Sequence, residues 1–262
     1  MRNCLILGSG RSGTSMLAGI LHQAGYFLGD KLHLARDSNP RGFFEWGKIN
    51  RINEDILSPY DRKGFYSLFY EKILKQHTVF SPGKSQHWLL ALPDKTVVSN
   101  HDPAIVKQIG QVVKREPFCY KDPRFCYTLP VWKPYLKPDT AYICVFREPQ
   151  VTVESILKEC RTQDYLKDLR IGRRSAYRAW ICLHTHLLNR DTGGWDNFFF
   201  VHYNQVYDGS AIGPLSRFLG VKLDAGFVDR ALKRTVSGDN PPVQVMNIYR
   251  RLCGLAHYRG LP

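Results

Sequence analysis

The residues best suited to chemistry stand near the start of the chain, in the glycine-rich segment Gly8-Ser9-Gly10-Arg11-Ser12-Gly13-Thr14-Ser15. An apolar run precedes this segment and predicts a buried strand, and a helical pattern follows it. Backbone N–H groups at the start of a helix form a cradle for anions, and the hydroxyls of Thr14 and Ser15 can donate to phosphate oxygens. The segment therefore predicts a phosphate site, with a tight turn that binds no ligand as the alternative.

The two outer glycines of this segment, Gly8 and Gly13, have the spacing of a Walker A loop, but Thr14 stands where the loop should have its lysine. The cation of the segment is instead Arg11, inside the loop. In nucleoside triphosphatases the lysine bridges the β- and γ-phosphates. We therefore expect phosphate binding without hydrolysis of ATP or GTP.

A second candidate anion site lies in the middle of the chain. Arg147 follows the apolar run 141–146, which predicts a strand, and Ser155 stands on the helix predicted after Pro149. The planar fork of an arginine suits bidentate contact with a phosphate, and a nearby hydroxyl adds a directed hydrogen bond. The pair therefore predicts a second phosphate site, with a surface arginine and an unrelated helical serine as the alternative.

Both sites resemble those of sulfotransferases, the enzymes that use 3′-phosphoadenosine-5′-phosphosulfate (PAPS). Residues 10–15 resemble the family's 5′-phosphosulfate loop, and Arg147 with Ser155 resembles its 3′-phosphate site. Weaker resemblances, to bacterial members of the family, cover 39–45, 121–124 and 200–206. The resemblance implies PAPS as the sulfuryl donor, 3′-phosphoadenosine-5′-phosphate (PAP) as the product, and no metal. The donor contacts that it implies are Gly10, Arg11, Ser12, Gly13, Thr14, Ser15, Arg147, Ser155 and Tyr203. Tyr203 has the position that reaches the adenine in some members, and a buried structural tyrosine is the alternative.

An acceptor hydroxyl also needs a base. In the carbohydrate and tyrosylprotein branches of the family the base is a glutamate shortly after the first helix, and Glu45 lies in a comparable stretch. Glu45 is therefore the expected base, Asp122 is the second choice, and each could instead cap or pair with a neighbouring helix. Lys121 is expected either to contact the transferring sulfuryl group or to pair with a carboxylate. Arg11 is expected to stabilise charge on the leaving phosphate.

Alternating strand and helix patterns predict an α/β fold: a P-loop-like three-layer domain with a central, mainly parallel sheet flanked by helices. The predicted strands are 3–7, 118–120, 141–146 and 197–202. The predicted helices are 14–24, 48–57, 103–115, one after Pro123, one after Pro149, 164–189, 212–219, 225–233 and 243–256. Residues 58–100 are rich in aromatic residues and show no clear elements. With no repeat and no long linker, residues 1–262 are expected to form a single domain.

The composition limits the class of protein. The chain has 262 residues, 44% of them hydrophobic, with 37 basic and 23 acidic residues and a net charge of +14, which excludes a disordered chain. No apolar stretch is long enough for a membrane span, and no signal peptide is expected. The seven cysteines form no Cys-x-x-Cys pair. They are expected to be buried, reduced thiols of a cytoplasmic protein. His184 and His186 point to different faces of their predicted helix and make a poor metal pair.

The sequence thus predicts a sulfotransferase that moves a sulfuryl group from PAPS to a hydroxyl of a carbohydrate or natural product. A nucleotide kinase or related phosphotransferase is one alternative. A non-enzymatic basic domain that binds a polyanion is the other, since the basic stretch 158–178 is either a solvated helix face or a steering surface. The expected partner is a small-molecule or carbohydrate acceptor rather than a nucleic acid. The sequence does not indicate the oligomeric state.

Overall fold

The computed structural model describes residues 1–37, 39–60, 82–83, 85–163, 166, 169, 171–189, 195–229 and 237–260. A parallel sheet of four strands lies at its centre, and its strands are β1 (Cys4–Leu7), β2 (Cys119–Lys121), β3 (Ala141–Phe146) and β4 (Phe198–His202). Their order across the sheet is β2-β1-β3-β4. Every residue of the first three strands is buried, as expected for a parallel sheet that is covered on both faces.

Helices cover both faces of the sheet. They are α1 (Thr14–Gln23), α2 (Gly47–Leu57), α3 (Pro103–Val112), α4 (Phe125–Trp132), α5 (Pro149–Thr162), α6 (Arg173–Leu188), α7 (Tyr203–Tyr207), α8 (Ile212–Leu219) and α9 (Val243–Leu255). Side chains of β1 alternate between two cores: Leu5 and Leu7 pack with α2–α6 and α9, whereas Cys4 and Ile6 pack with α1 and α8. The predicted three-layer α/β fold is therefore confirmed.

The parallel direction of the strands brings four loops to one edge of the sheet. The glycine-rich segment follows β1, Asp122 follows β2, Arg147 follows β3 and Tyr203 follows β4. Ligands of open parallel sheets bind outside the carboxyl ends of the strands. The fold therefore gathers at this edge the sites that the sequence predicts.

Two predicted helices differ most from the structure. The helix predicted over 164–189 begins at Arg173, after Gly172 in an extended conformation, and residues 164, 165, 167, 168 and 170 lie outside the described residues. A glycine is a poor helix interior and a good helix boundary. In place of the helix predicted over 225–233, the structure has the single 3₁₀ turn Ala225–Phe227, and residues 230–233 are not among those described.

Helix α7 was not predicted. It has only five residues, and His202 begins it through a reciprocal cap: the His202 ring accepts from the backbone of Asn204, and the side chain of Gln205 accepts from the backbone of His202. This cap starts the helix directly at the end of β4, and it thereby fixes where Tyr203 stands.

Two further predictions concern the whole chain. All seven cysteines belong to the described part of the protein, and each is buried, as predicted, with a free thiol. Within the described ranges, no helix combines the length and the apolar character needed to cross a membrane.

Candidate active site

The glycine-rich loop packs tightly against the ends of two neighbouring strands. Gly8 and Gly13 have φ values of 124° and 93°, which glycine adopts easily. A Cβ atom on Gly8 would lie 2.1 Å from the carbonyl oxygen of Val145, and one on Gly13 would lie 2.4 Å from the ring of Tyr203. Both glycines are therefore required by close approach as well as by backbone conformation.

The buried hydroxyl of Ser12 connects this loop to strand β3. Its side chain is fully buried, and its hydroxyl lies 2.6 Å from the carbonyl oxygen of Ser9 and 3.0 Å from that of Val145. One hydroxyl proton serves these two acceptors, one in the loop and one in β3. Ser12 is thus placed to shape the loop, and its side chain does not line the neighbouring cavity.

A cavity of about 930 Å³ opens beside the loop, at the carboxyl edge of the sheet. Apart from Asp122, the other predicted site residues all line it: Gly10, Arg11, Gly13, Thr14, Ser15, Glu45, Lys121, Arg147, Ser155 and Tyr203. A volume of this size suits a ligand as large as a nucleotide or a drug-sized molecule. The structure therefore gathers around one space residues that are far apart in sequence.

The loop and the second predicted phosphate site are in direct contact. Nε of Arg11 donates to the hydroxyl of Ser155 at 3.1 Å, and Nη1 of Arg11 lies 3.4 Å from Oε2 of Glu159. Ser155 and Glu159 stand one turn apart on α5 and face the same cavity. Arg11 itself has a positive φ of 70°, which turns its side chain out of the loop toward α5.

Arg147 lies in a largely buried position at the end of β3. The residue is 8% exposed, and its guanidinium carbon lies 4.3 Å from the centre of the Tyr203 ring, with Glu148 at 3.6 Å from its Nε. Burial lowers the pKa of Arg147, and the charge of Arg11 adds to this effect. Burial raises the pKa of Tyr203, against the opposing charge of Arg147. The Tyr203 ring, in contact with both Gly13 and Arg147, therefore links the two predicted phosphate sites.

Glu45 and Lys121, which also line the cavity, form an ion pair. Nζ of Lys121 also lies 3.3 Å from the hydroxyl of Ser15, so it connects this pair to the start of α1. The second oxygen of Glu45 accepts from the amide of Asn50 at 3.2 Å. The carboxylate is thereby held in one orientation while its side chain, 18% exposed, still reaches the cavity.

Asp122, the other candidate base, is in a different environment. It is fully buried and does not line the cavity. Its Oδ1 accepts from the backbone and Nη1 of Arg124, at 2.9 and 3.0 Å, and its Oδ2 accepts from Asn50 at 2.8 Å. Both oxygens are therefore engaged within the protein, and the geometry favours Glu45 over Asp122 as the group that meets a substrate.

A buried ionic cluster stands behind these two carboxylates. Arg124 pairs with Glu54 as well as with Asp122, and Glu54 also pairs with the ring of His87 and accepts from its backbone at 3.1 Å. Burial alone would raise the pKa of Glu54, but the hydrogen bond from His87 and the charge of Arg124 outweigh it and lower that pKa. The cluster fixes the turn that carries Trp88, whose ring lies against Gly10.

Several residues at this site were not predicted from the sequence: Asn50, Glu54, His87, Trp88, Arg124 and Glu159. Glu159 could have been found, because it lies four positions after Ser155 on a helix and must share its face. Arg124 lies in the segment 121–124, which resembles the family, but the sequence predicts no role for this residue. The others interact across segments distant in sequence, and no local spacing indicates such contacts.

The histidine pair and the basic stretch 158–178 are the two remaining features named from the sequence. His184 and His186 are buried, and Nδ1 of each lies within 3 Å of a carbonyl oxygen one turn back on α6, while burial lowers the pKa of His184 to about 4. In the basic stretch 158–178, Arg173 is exposed and pairs with Glu154 and Asp239, whereas Lys158 lines the cavity. Arg170 lies outside the described residues.

Comparisons with known proteins identify the family. The sequence matches the sulfotransferase family over residues 4–223. No curated protein matches it. The solved sulfotransferase domain from the curacin biosynthetic pathway is 16% identical, with a TM-score of 0.53 over 96% of this chain and 98% of that one, and so shares the fold. A sulfotransferase from Alicyclobacillus acidocaldarius is 14% identical, with a TM-score of 0.47 over 99% and 97% of the two chains. Because the family match spans most of its length, the chain belongs to the sulfotransferase family.

Proposed function

We propose that this sulfotransferase uses PAPS as its donor and transfers the sulfuryl group to an acceptor hydroxyl. One observation carries the proposal: Arg11 of the glycine-rich loop and Ser155 of the second anion site lie 3.1 Å apart in a single cavity. A nucleotide with phosphate groups at both its 5′ and 3′ positions needs two such sites side by side. A triphosphate would need the lysine that Thr14 replaces.

The residues at the cavity fit such a donor. The N–H groups at the start of α1, with the hydroxyls of Thr14 and Ser15, suit the 5′ side, because a helix N-terminus attracts anions. Arg147 and Ser155 suit the 3′-phosphate, and Tyr203 supplies a ring beside them. We propose that Gly10, Ser12 and Gly13 give the loop the shape that brings these groups together. In the described part of the chain, no three or more His, Cys, Asp or Glu side chains are grouped so as to hold a metal ion.

The chemistry then follows from the placement of three side chains. PAPS supplies a sulfuryl group bonded to a phosphate that can leave. Glu45 accepts the proton of the acceptor hydroxyl as that oxygen forms its bond to sulfur, and the electron pair of the broken sulfur–oxygen bond goes to the phosphate. Lys121 and Arg11 stabilise the negative charge that develops on the transferring group and on the leaving phosphate. Lys121 also orients Glu45 through their ion pair.

We further propose that the acceptor is a carbohydrate or a natural product. Beyond Glu45, aromatic side chains line the cavity beside polar ones: Phe43, Phe44, Trp88, Asn39, Arg41 and Arg51. Aromatic faces with neighbouring hydrogen-bonding groups suit a ring that carries hydroxyls. Loops supply most of this wall, as is usual for residues that set specificity.

Isothermal titration of the purified protein with PAP, without metal, tests the donor proposal. ATP and 5′-AMP are the controls, because they share the adenosine and the 5′-phosphate but lack the 3′-phosphate. We expect PAP to bind at least roughly 100-fold more tightly than 5′-AMP, as the loss of charge-assisted hydrogen bonds to one phosphate would predict. Equal binding of PAP and 5′-AMP would overturn the donor assignment, and preferential binding of ATP would favour a phosphotransferase.

A further inference from the structure

A buried carboxylate lies within the proposed donor site, where a phosphate needs cations. Glu159 is 2% exposed and lines the same cavity as Arg11, Arg147 and Ser155. Its Oε2 lies 3.4 Å from Nη1 of Arg11. A negative charge at this place opposes the binding of an anion, so its presence needs a functional explanation.

Glu159 and a donor phosphate would share one partner. Arg11 contacts both Ser155 and Glu159 from the same guanidinium, and these two residues stand one turn apart on α5. A phosphate that engages Ser155 and Arg11 meets the carboxylate as a competing anion for the same N–H groups. Because the carboxylate is shielded from water, this competition is weakly screened by salt.

We infer that Glu159 is a positioning residue that competes with the nucleotide's phosphate for Arg11 and thereby speeds the release of PAP. The inference rests on the proposed function, since it concerns the product of that reaction. Product release limits the turnover of many enzymes, and a site that binds an anion on several cations releases it slowly. Glu159 gives Arg11 a second anionic partner, so the guanidinium remains paired when the phosphate dissociates.

A purely structural role makes the opposite prediction. If the Arg11–Glu159 pair only holds the loop to α5, removing the carboxylate loosens the site and weakens the binding of every nucleotide. If Glu159 competes with phosphate, removing its charge tightens PAP. It also tightens PAP more than 5′-AMP, because only PAP has the 3′-phosphate, which is proposed to engage Ser155 one turn from Glu159 and so meets the carboxylate directly.

The test is Glu159→Gln, which keeps the side chain's size and removes its charge. We expect the Kd of PAP to fall about tenfold and the Kd of 5′-AMP to change less than threefold, as measured by titration calorimetry. We also expect PAP to dissociate about tenfold more slowly in a stopped-flow displacement experiment, because affinity differences among variants of one site lie mostly in the dissociation rate. Thermal melting of each variant checks that it is folded.

Glu154→Gln is the matched control. Glu154 lies on the same helix and pairs with an arginine, Arg173, at 2.9 Å, but it does not line the cavity. This variant should leave both nucleotide affinities and the dissociation rate unchanged. Glu159→Asp keeps the charge but shortens the side chain, so it should give values between those of the wild type and Glu159→Gln.

The outcomes separate the inference from the proposed function. If the wild-type protein binds PAP and Glu159→Gln binds it equally or more weakly, the inference is wrong and the donor assignment stands. If the wild-type protein binds PAP no better than 5′-AMP, both are wrong. Should Glu159→Gln fail to fold, Glu159→Asp decides the matter, and the absence of any tightening of PAP overturns the inference.

Discussion

Two groups of residues at the cavity differ in how their charged side chains are paired and exposed. The first group, here called the donor wall, consists of Arg11, Arg147, Ser155 and Tyr203, with the carboxylate of Glu159 beside Arg11. The second group, the base wall, consists of Glu45 and Lys121 together with the residues bonded around them: Asn50, Asp122, Arg124, Glu54 and His87. The charged groups of the base wall pair with one another: Lys121 with Glu45, Arg124 with Asp122 and Glu54, and His87 with Glu54. The arginines of the donor wall line the cavity where a ligand can reach them, whereas most charges of the base wall are buried within their own network.

This difference predicts separable effects of mutation. A buried ionic network depends on all of its members, because removing one leaves the others desolvated and unpaired. Changes in the interior of the base wall should therefore reduce stability. Loss of an arginine of the donor wall should reduce nucleotide affinity, because Arg11 and Arg147 both line the cavity. Glu45 is the exception in the base wall, because its side chain is 18% exposed and it is the proposed base, so its loss should affect the rate of transfer alone.

Glu45→Gln should have the largest effect. It removes the proposed base but keeps a side chain that can still accept from Asn50. We expect the rate of sulfuryl transfer from PAPS to fall by roughly 10³-fold, within the usual range for general bases. The rate is measured with labelled PAPS and an acceptor found by screening sugars and phenols with the wild-type protein, and PAP affinity should be unchanged in calorimetry. Transfer at the wild-type rate would place the base elsewhere.

Glu54→Gln should have the next largest effect, on stability. The change leaves Arg124 and His87 buried beside a neutral amide, and we expect the free energy of unfolding in urea to fall by about 3 kcal/mol at pH 7. PAP affinity should stay within about threefold, because Glu54 belongs to the base wall. The exposed pair of Glu116 and Lys137 offers a control: Glu116→Gln should cost much less.

The same variant predicts a pH dependence. In the folded protein the pKa of Glu54 lies below its ordinary value of 4.5, because His87 and Arg124 outweigh the effect of burial. A group with a lowered pKa contributes stability that is present above its unfolded pKa and is lost as the pH falls through the folded pKa. The difference in stability between the wild type and Glu54→Gln should therefore shrink below pH 4.5. A constant difference from pH 7 down to acid would show that the charge of Glu54 is not the cause.

Arg147→Ala should affect the donor wall alone. We expect the affinity for PAP to fall by roughly 100-fold, since a buried guanidinium that can bind phosphate through two hydrogen bonds is lost. The melting temperature should change little, because Arg147 lines the cavity and its loss leaves Tyr203 packed on Gly13. Arg173→Ala, at an exposed arginine with two ion pairs, is the control and should bind PAP normally. Equal losses in the two variants would argue against a 3′-phosphate site at Arg147.

The two walls also differ in how far the sequence predicts them. Arg11, Arg147 and Tyr203 of the donor wall each follow a strand, and Ser155 stands on the helix after Arg147. The strand and loop patterns predict the positions of Arg11 and Arg147, and the family resemblance adds Tyr203. The base wall joins side chains from α2, from the turn His87–Leu89 and from the segment after β2. Only folding brings these segments together, and no local spacing indicates it. The sequence named Glu45 and Asp122 as candidates, but their burial and partners were needed to tell them apart.

Asn50→Ala should have the smallest effect and tests how the base wall positions Glu45. The amide of Asn50 donates to both Glu45 and Asp122, and its oxygen lies 2.9 Å from Nε2 of His33. Without it, the two carboxylates lose the donor that they share, and Glu45 keeps Lys121 as its partner. We expect the transfer rate to fall about tenfold, as the loss of one hydrogen bond to a charged group predicts.

Whether Asn50→Ala changes the transfer rate or the binding of the nucleotide shows what Asn50 does. A positioning role lowers kcat and leaves the KM for PAPS and the calorimetric affinity for PAP unchanged, because Asn50 belongs to the base wall. A general loosening of the cavity would instead raise KM and lower the melting temperature. Asn247→Ala, at an exposed asparagine on α9, should change none of these quantities. If Asn50→Ala weakens PAP binding as strongly as it slows transfer, the two walls are coupled, and the separation drawn between them is wrong.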